Sequence, residues 1–249
     1  ANFKNRLLNT NCATLPSGGN SIDVDINNNG EIEESEASQF NRLNISNSDI
    51  SSIEGIQYFI NLEELYVNDN NLTIVDFSTV SSLQQIQCSR NQLTSITLGI
   101  NVTYFEASEN LLTNAEFVTA APNLFILILK NNLLTNVNAI SALSNLSFLN
   151  VSYNLITTFD TASLTQLQTL YIDHNNLTSI SIPSTCTILH CGYNQISSID
   201  LTGLHLFALS VSYNQLTSLE IPSTCNFEEG ALAISGNLYT TVTFPITPC

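Results

Sequence analysis

An eleven-residue pattern that recurs along most of the chain is the feature that most constrains its fold. In the clearest copy, Leu146–Ile156 (LSFLNVSYNLI), apolar residues occupy the first, fourth, sixth and eleventh positions and asparagine the ninth. The pattern returns every 19 to 23 residues from Phe40 almost to the C-terminus. A unit this short cannot bury a core alone, so the period predicts coils that stack on one another and share one core.

Ten copies occur, and nine of them carry the asparagine. Their first residues are Phe40, Leu62, Leu83, Val102, Leu124, Leu146, Leu167, Cys186, Leu206 and Glu229. An inward-pointing asparagine amide has two donors and one acceptor, so a stack of such amides can satisfy the backbone groups buried between coils. We therefore interpret the ninth position as structural.

The pattern LxxLxLxxNxL is the signature of a leucine-rich repeat. It predicts an α/β-type solenoid dominated by β, a horseshoe of about ten repeats of 19 to 23 residues. A parallel sheet would line its concave face. The convex face would hold short extended segments, as at 94–98 and 178–182, or 3-10 turns, as at 117–122 and 140–143, because such short repeats leave no room for long helices. The predicted organisation is an N-terminal cap over residues 1–39, a repeat array over 40–240 and a C-terminal tail over 241–249.

A twelve-residue segment in the predicted cap, Asp25–Glu36 (DINNNGEIEESE), has the pattern of an EF-hand calcium loop. Oxygen-bearing side chains stand at positions one, three, five, nine and twelve, with glycine at six, where the sharp turn is needed. The predicted calcium ligands are the side chains of Asp25, Asn27, Asn29 and Glu36 and the carbonyl of Glu31, with Glu33 acting directly or through water. The alternative is an acidic, asparagine-rich turn that binds nothing.

Composition narrows the range of partners. The formal net charge is −16 and the isoelectric point is about 4.1. Nucleic acids and anionic lipids are therefore disfavoured, because phosphate contacts need lysine and arginine. No run of about 18 apolar residues exists, so no transmembrane helix is expected.

Six cysteines are present without the spacing of a metal site. Cys88, Cys186 and Cys191 fall at core positions of the frame and are predicted to be small buried hydrophobes. Cys225 and Cys249 lie outside the regular positions, and we predict a disulfide between them that would hold the tail. Cys12 has no evident partner.

The strand residues between the core positions would face the concave side. The early part of this face is acidic and rich in amides, whereas the later part carries rings and aliphatic groups, which suggests an interaction surface. The predicted partner-binding residues are Tyr104, Phe125, Ile126, Ile128, Phe148, Tyr153, Tyr171, His174, His190, Tyr193, Phe207 and Tyr213. Four of them, Tyr153, His174, Tyr193 and Tyr213, share position eight and are expected to form a ring ladder. The alternative is cross-strand stacking that only stiffens the sheet.

The segment Leu209–Leu219 (LSVSYNQLTSL) resembles repeats of bacterial leucine-rich-repeat proteins found on the surface of Flavobacterium-like organisms. The calcium loop resembles those of dockerins and of secreted Bacteroidetes proteins. The resemblance implies an exported, outer-membrane-associated module that is not an enzyme.

Two functions from different classes follow. The first is a cell-surface module that binds a protein partner, as an adhesion or assembly subunit, with calcium as a structural ion. The alternative is a glycan-binding surface protein, because tyrosine, histidine and asparagine side chains also suit sugars. An enzyme is not expected, because the sequence shows no Ser/His/Asp arrangement, no phosphate-cradling glycine loop and no HExxH motif.

Overall fold

The computed structural model describes residues 2–245. Their division between Leu112 and Thr113 gives two compact units. We call them the N-terminal and C-terminal units. Both consist of coils of one design: a three-residue strand at frame positions three to five, a tight turn, and a return segment. Repeats of about 20 residues leave space for nothing longer, as the sequence predicted.

The N-terminal unit contains a sheet in the order β1-β2-β3-β5-β7, in which β1 is antiparallel to β2 and the other pairs are parallel. A second, two-stranded sheet joins β4 to β6 on the return segments. The elements are α1 (Asn2–Asn9), β1 (Ala13–Thr14), α2 (Glu34–Ala37), β2 (Arg42–Asn44), a 3-10 turn (Ile56–Tyr58), β3 (Glu64–Tyr66), β4 (Ile74–Asp76), β5 (Gln85–Gln87), β6 (Ser95–Thr97) and β7 (Tyr104–Glu106).

The C-terminal unit contains a fully parallel sheet in the order β8-β9-β10-β11-β12-β14, and β13 pairs with β15 on the return side. The elements are a 3-10 turn (Glu116–Ala120), β8 (Ile126–Ile128), a second 3-10 turn (Asn138–Ala142), β9 (Phe148–Asn150), β10 (Thr169–Tyr171), β11 (Ile188–His190), β12 (Ala208–Ser210), β13 (Ser218–Glu220), β14 (Leu232–Ala233) and β15 (Thr241–Thr243).

The core of each unit is made by the apolar frame positions. In Leu146–Ile156, the residues at positions one, four, six and eleven are all fully buried. Each fully buried leucine or isoleucine contributes about 1.5–3 kcal/mol relative to an exposed one. Cys88, Cys186 and Cys191 are likewise fully buried, which confirms that they act as small hydrophobes. Burial raises the pKa of all three thiols, that of Cys186 to about 12.

The asparagine of the frame has the predicted structural role. The Asn154 Oδ1 accepts the Leu134 N–H of the preceding coil at 3.0 Å, and its Nδ2 donates to the carbonyls of Leu129 and Val151. The same bonds recur in both units, for example at Asn91 and Asn194. The ninth position therefore joins each coil to the one before it.

The residue before each asparagine has a left-handed backbone, which the sequence pattern did not reveal. Tyr153, His174, Tyr193 and Tyr213 have φ between 52° and 58°, and Gly236 at the same position has φ 69°. A non-glycine residue in this region is uncommon and carries a conformational cost. The asparagine bonds and the N–H bond of position eight itself, such as Tyr153 N–H to the Asp173 carbonyl at 2.9 Å, hold the turn.

The N-terminal cap closes one end of its unit. Helix α1 buries Phe3 and Leu7, and β1 pairs along the outer edge of β2. The predicted 3-10 turns near 117–122 and 140–143 are present, as is the extended segment at 94–98. Segment 178–182 forms no strand, and its predicted extended conformation stays a prediction.

The last coil of the C-terminal unit is less buried than the coils before it. Leu232 and Ile234 occupy core positions of the frame, yet both are only half-buried, whereas the equivalent Leu209 and Val211 are fully buried. The predicted boundaries at 39/40 and 240/241 stay predictions.

Candidate binding surface and calcium loop

The predicted calcium loop is held in a tight turn by its own side-chain oxygens. The Asp25 carboxylate accepts the N–H groups of Asn29 at 3.0 Å and Gly30 at 2.9 Å. The Glu36 carboxylate accepts those of Asn27 at 3.2 Å and Glu33 at 3.1 Å. The carboxylates of the first and last residues of the twelve-residue pattern thus both bind backbone N–H groups of one short stretch, residues 27–33.

The loop contains buried negative charge without a cationic partner in the described part of the chain. Asp25 and Glu36 are both buried, with only 5% of each residue exposed to solvent. No ion pair within residues 2–245 involves either of them, and Lys4 pairs with the exposed Glu31 side chain of the same loop. Hydrogen bonding to Glu36, and then to the Asn29 amide, holds the pKa of Glu33 below its ordinary value.

Half of the predicted ligand atoms are not carboxylates. Asn27 and Asn29 would contribute amide oxygens and Glu31 its carbonyl, and the two amides both donate to the Glu33 carboxylate. Over residues 2–245, no group of three or more His, Cys, Asp or Glu side chains is arranged to hold a metal ion. A cation here would therefore depend on mixed amide, carbonyl and carboxylate oxygens, which is the donor set calcium accepts.

The sheet face of the C-terminal unit carries two rows of outward side chains in register. At position three, Ile126, Phe148, Thr169, Ile188 and Ala208 stand side by side on β8 to β12; at position five the row is Ile128, Asn150, Tyr171, His190 and Ser210. All ten residues are half-buried. Apolar and ring side chains predominate in these two rows, with Thr169, Asn150 and Ser210 among them, and we call the two rows the apolar strip.

Rings from the two rows meet at the centre of that strip. The Phe148 and Tyr171 ring centroids are 5.7 Å apart and tilted by 49°, and Tyr171 contacts His190 edge-to-face at 4.8 Å. Such offset and edge-on contacts leave part of each ring face open, and they are worth about 0.5–1.5 kcal/mol each. We call Phe148, Tyr171 and His190 the central ring cluster.

The predicted ring ladder is confirmed. Tyr153, His174, Tyr193 and Tyr213 stack with successive centroid distances of 4.0, 4.1 and 4.4 Å and interplanar angles of 14°, 11° and 19°. The left-handed turn at position eight projects these rings along one edge of the sheet, one ring per coil. Because each ring covers its neighbour, the ladder presents ring edges and polar groups to solvent rather than ring faces.

Both ends of the ladder are also covered. The Lys130 ammonium lies 5.3 Å from the centroid of the Tyr153 ring, a cation–π contact. At the other end the Tyr213 ring lies over Gly236, where an added Cβ would come within 2.6 Å of a ring carbon. Neither Lys130 nor Gly236 was identified from the sequence. Their frame positions, seven and eight, could have predicted that they lie next to the ladder.

A carboxylate lies between the ladder and the central ring cluster. Asp173 is half-buried at position seven, and its two oxygens accept the Gly192 N–H at 3.0 Å and the Ser152 hydroxyl at 3.4 Å. Burial raises the pKa of Asp173, and the nearby His190 and the Gly192 N–H oppose that rise. The sequence analysis did not include Asp173 among the partner-binding residues.

The remaining predicted contact residues lie elsewhere. Tyr104 belongs to the N-terminal unit, where its hydroxyl bonds to Glu106 at 3.1 Å; burial, and then Glu106, raise the pKa of Tyr104 to about 12. Phe125 and Phe207 stand at position two, just before their strands, and each is 54% exposed. Phe125 borders a groove of about 330 Å³ whose other lining residues are Asn123, Asn145, Ser147, Gln166 and Gln168.

The sheet face of the N-terminal unit is polar, as the sequence predicted. Arg42 bonds to Glu64 at 2.7 Å, and Tyr66 donates to the same carboxylate. At position eight this unit has charges in place of rings, and Arg90 pairs with Asp69 there at 2.5 Å. Its side chains are thus engaged with one another.

Cys225 is half-buried and forms no disulfide with another cysteine of residues 2–245. Its predicted disulfide partner, Cys249, lies outside the described residues, so this pairing stays a prediction. Among residues 2–245, no helix is long and apolar enough to cross a membrane.

Comparison with known proteins agrees with this geometry. The Leucine Rich Repeat family profile matches residues 166–188, which include β10 and the first residue of β11. The solved APL1 leucine-rich repeat domain aligns with 84% of this chain at 25% identity and a TM-score of 0.72. The chain has the leucine-rich-repeat fold.

Two further solved structures share that fold. The functional domain of InlJ from Listeria monocytogenes aligns with 87% of this leucine-rich-repeat chain at 20% identity and a TM-score of 0.56. The plant peptide hormone receptor RGFR1, solved in complex with RGF2, aligns with 74% at 23% identity and a TM-score of 0.57. The chain spans 56% of InlJ, 34% of RGFR1 and 59% of the APL1 domain. No curated protein sequence matches it.

Proposed function

We propose that this chain is an exported, cell-surface leucine-rich-repeat module that binds a protein partner, as an adhesion or assembly subunit. The observation that carries the proposal is the apolar strip on the sheet face of the C-terminal unit, with the central ring cluster in its middle. Rigid strands hold these side chains in register, so little conformational entropy is lost when a partner covers them. Aromatic groups in such a position are typical binding hot spots.

The solved structures of the same fold support a binding role. One of them, RGFR1, is a receptor crystallised with RGF2. Export to the cell surface rests on the resemblance of Leu209–Leu219 and of the calcium loop to surface proteins of Flavobacterium-like bacteria. That the chain is not an enzyme stays a prediction.

Substitution in the central ring cluster tests the binding surface. Tyr171→Ala and Phe148→Ala are each expected to weaken capture of a partner from native cell envelope by about tenfold or more. Tyr66→Ala is the matched control, because Tyr66 has the same residue type and frame position in the polar unit. Circular dichroism would verify that each variant is folded. Unchanged capture by both Tyr171→Ala and Phe148→Ala would reject this surface.

We further propose that the N-terminal cap binds calcium as a structural ion. The ligands would be the side chains of Asp25, Asn27, Asn29 and Glu36 and the Glu31 carbonyl. Support comes from two buried carboxylates that lack a cationic partner in residues 2–245 and from a backbone turn that already presents them on one loop. Calcium would stabilise the folded cap by binding it and not the unfolded chain.

Calorimetric titration with calcium tests this site. Glu36→Gln keeps the size and part of the hydrogen bonding but removes one chelating charge, so calcium affinity is expected to fall at least about tenfold. Glu34→Gln is the control, since Glu34 is exposed and lies outside the ligand positions. EDTA should lower the melting temperatures of the wild type and of Glu34→Gln, and have less effect on that of Glu36→Gln. Equal calcium affinity in both variants would contradict the site.

A glycan is the second candidate ligand, and the groove beside Phe125 favours it. Amide and hydroxyl side chains around an exposed ring match the hydrogen-bonding groups and apolar faces of sugars. The ring ladder does not support this function, because its ring faces are already stacked. A glycan array with Phe125→Ala and the distant Phe207→Ala as control would test it; loss of a specific glycan in Phe125→Ala alone is the expected result.

A further inference from the structure

We propose that Asp173 receives a basic side chain, an arginine or lysine, of the protein partner. This inference rests on the proposed protein-binding function and names the chemistry at the centre of that surface. It starts from the frame position that Asp173 occupies.

The side chain at position seven accepts a backbone N–H of the next coil, and this role does not require a charge. In the N-terminal unit, the Asn68 Oδ1 accepts the Ser89 N–H at 2.8 Å, and the Ser89 hydroxyl accepts the Ser108 N–H at 3.0 Å. Asp173 does the same for Gly192. An asparagine or serine therefore satisfies the next coil as well as an aspartate does, and the negative charge of Asp173 is not explained by the fold.

The charge also lacks a cationic partner. Lys130 is the only lysine or arginine in Thr113–Cys249, and its ammonium lies at the Tyr153 ring. No ion pair of residues 2–245 includes Asp173. The groups facing the carboxylate are the Gly192 N–H, the Ser152 hydroxyl and His190, and burial raises its pKa despite them. Desolvated without full compensation, this carboxylate gains from an incoming positive charge.

The surroundings of Asp173 suit a cation from a side chain. In the frame, position seven of Asp173 stands between position five, which holds Tyr171 and His190 of the central ring cluster, and position eight, which holds His174 and Tyr193 of the ladder. Rings next to a carboxylate attract ammonium and guanidinium groups through both charge and ring quadrupole. Gly192 contributes by its missing side chain, because a Cβ there would stand 3.3 Å from the Asp173 Oδ1 and crowd it.

The net charge of the whole chain also favours a basic partner. The formal net charge of −16 attracts basic proteins and repels acidic ones. Beside the apolar strip, one half-buried carboxylate would then select the register of the partner by pairing with a single basic residue.

A titration with model compounds tests the site directly. The probes are Nα-acetylarginine amide and Nα-acetyllysine amide, with the uncharged Nα-acetylcitrulline amide as control, followed by the NMR shift of the Gly192 amide. We expect a saturable shift with at least one charged probe and none with citrulline. In Asp173→Asn, which keeps the bond to Gly192, binding should weaken at least about tenfold. Asp200→Asn, another carboxylate of the same unit, should bind as the wild type does.

Two results would overturn the proposal: an equal shift with citrulline, or charged-probe binding that is unaffected by Asp173→Asn. Partner capture separates this inference from the proposed function. Capture that falls in Phe148→Ala but is unchanged in Asp173→Asn would reject the role of Asp173 and keep the binding surface. Capture that is unchanged in Phe148→Ala and Tyr171→Ala would reject the surface itself, and the probe titration would still report on Asp173 independently.

Discussion

At the scale of single residues, the sequence predicts only some of the hydrogen bonds that the frame positions make. The role of the ninth-position asparagine followed from its donors and acceptor, because few side chains can satisfy a backbone on both sides. The left-handed turn at position eight did not follow, since tyrosine and histidine have no preference for it. Asp173 was missed for a similar reason: its charge becomes notable only when its burial and neighbours are known.

Asn154→Ala is expected to lower the free energy of unfolding by about 3 kcal/mol, because it leaves the Leu134 N–H and the Leu129 carbonyl buried without partners. Urea denaturation would measure the change. Asn145→Ala is the control, since the Asn145 side chain is exposed and makes no hydrogen bond within residues 2–245. A loss at Asn154 as small as that at Asn145 would contradict the structural role.

Asp173→Asn is expected to raise the free energy of unfolding at pH 7, by less than about 1 kcal/mol. The raised pKa means that the folded state disfavours the ionised carboxyl, so stability falls as pH rises from the ordinary aspartate pKa through the shifted one. The difference should therefore vanish in acid, below the ordinary value. Asp200, whose pKa is lowered by hydrogen bonds from Thr202, should show the opposite sign in Asp200→Asn. Denaturation at pH 3 and pH 7 would compare them.

At the scale of elements, the ring ladder shows what a repeat period can and cannot predict. Equal frame positions in consecutive coils must lie one above another, so the alignment of four rings followed from the sequence. The parallel stacking depended on the left-handed turn, and the covering of both ends depended on Lys130 and Gly236. The ring faces of the ladder are therefore occupied by one another, unlike those of the central ring cluster, a distinction that residue spacing alone does not make.

Gly236→Ala is expected to cost more stability than Gly203→Ala. Both glycines have positive φ, 69° and 74°, so both substitutions pay the conformational cost of about 1 kcal/mol. Only at Gly236 would the new Cβ meet a ring, that of Tyr213, because nothing lies within 4 Å at Gly203. Thermal denaturation should show the extra loss, and Tyr213→Ala should remove it. Equal costs in the wild-type background would contradict the ring contact.

At the scale of the whole molecule, the sequence was most informative, because one frame fixes strand, turn and core in every coil. That residues 1–39 differ from the repeats was also predictable, since they lack the frame; their role as a cap and calcium binding at Asp25–Glu36 stay predictions. The end of the array was not, because the degenerate copy after Glu229 keeps its asparagine and still reads as a repeat. Its Asn237 does bond back to Leu216 and Val211, but the coil exposes core positions that all earlier coils bury.

Hydrogen exchange should therefore find the last coil the least protected part of the C-terminal unit. Val211 and Tyr213 donate their N–H groups to Ala233 and Ser235, whereas the equivalent N–H groups of Ile234 and Gly236 have no acceptor within residues 2–245. The Tyr239 hydroxyl is buried there without a partner. Because repeat stability is a sum of nearest-neighbour terms, a coil with one neighbour opens first. Exchange of Ile234 and Gly236 should be faster than that of Val211 and Tyr213 by orders of magnitude; equal protection would show that another segment covers this end.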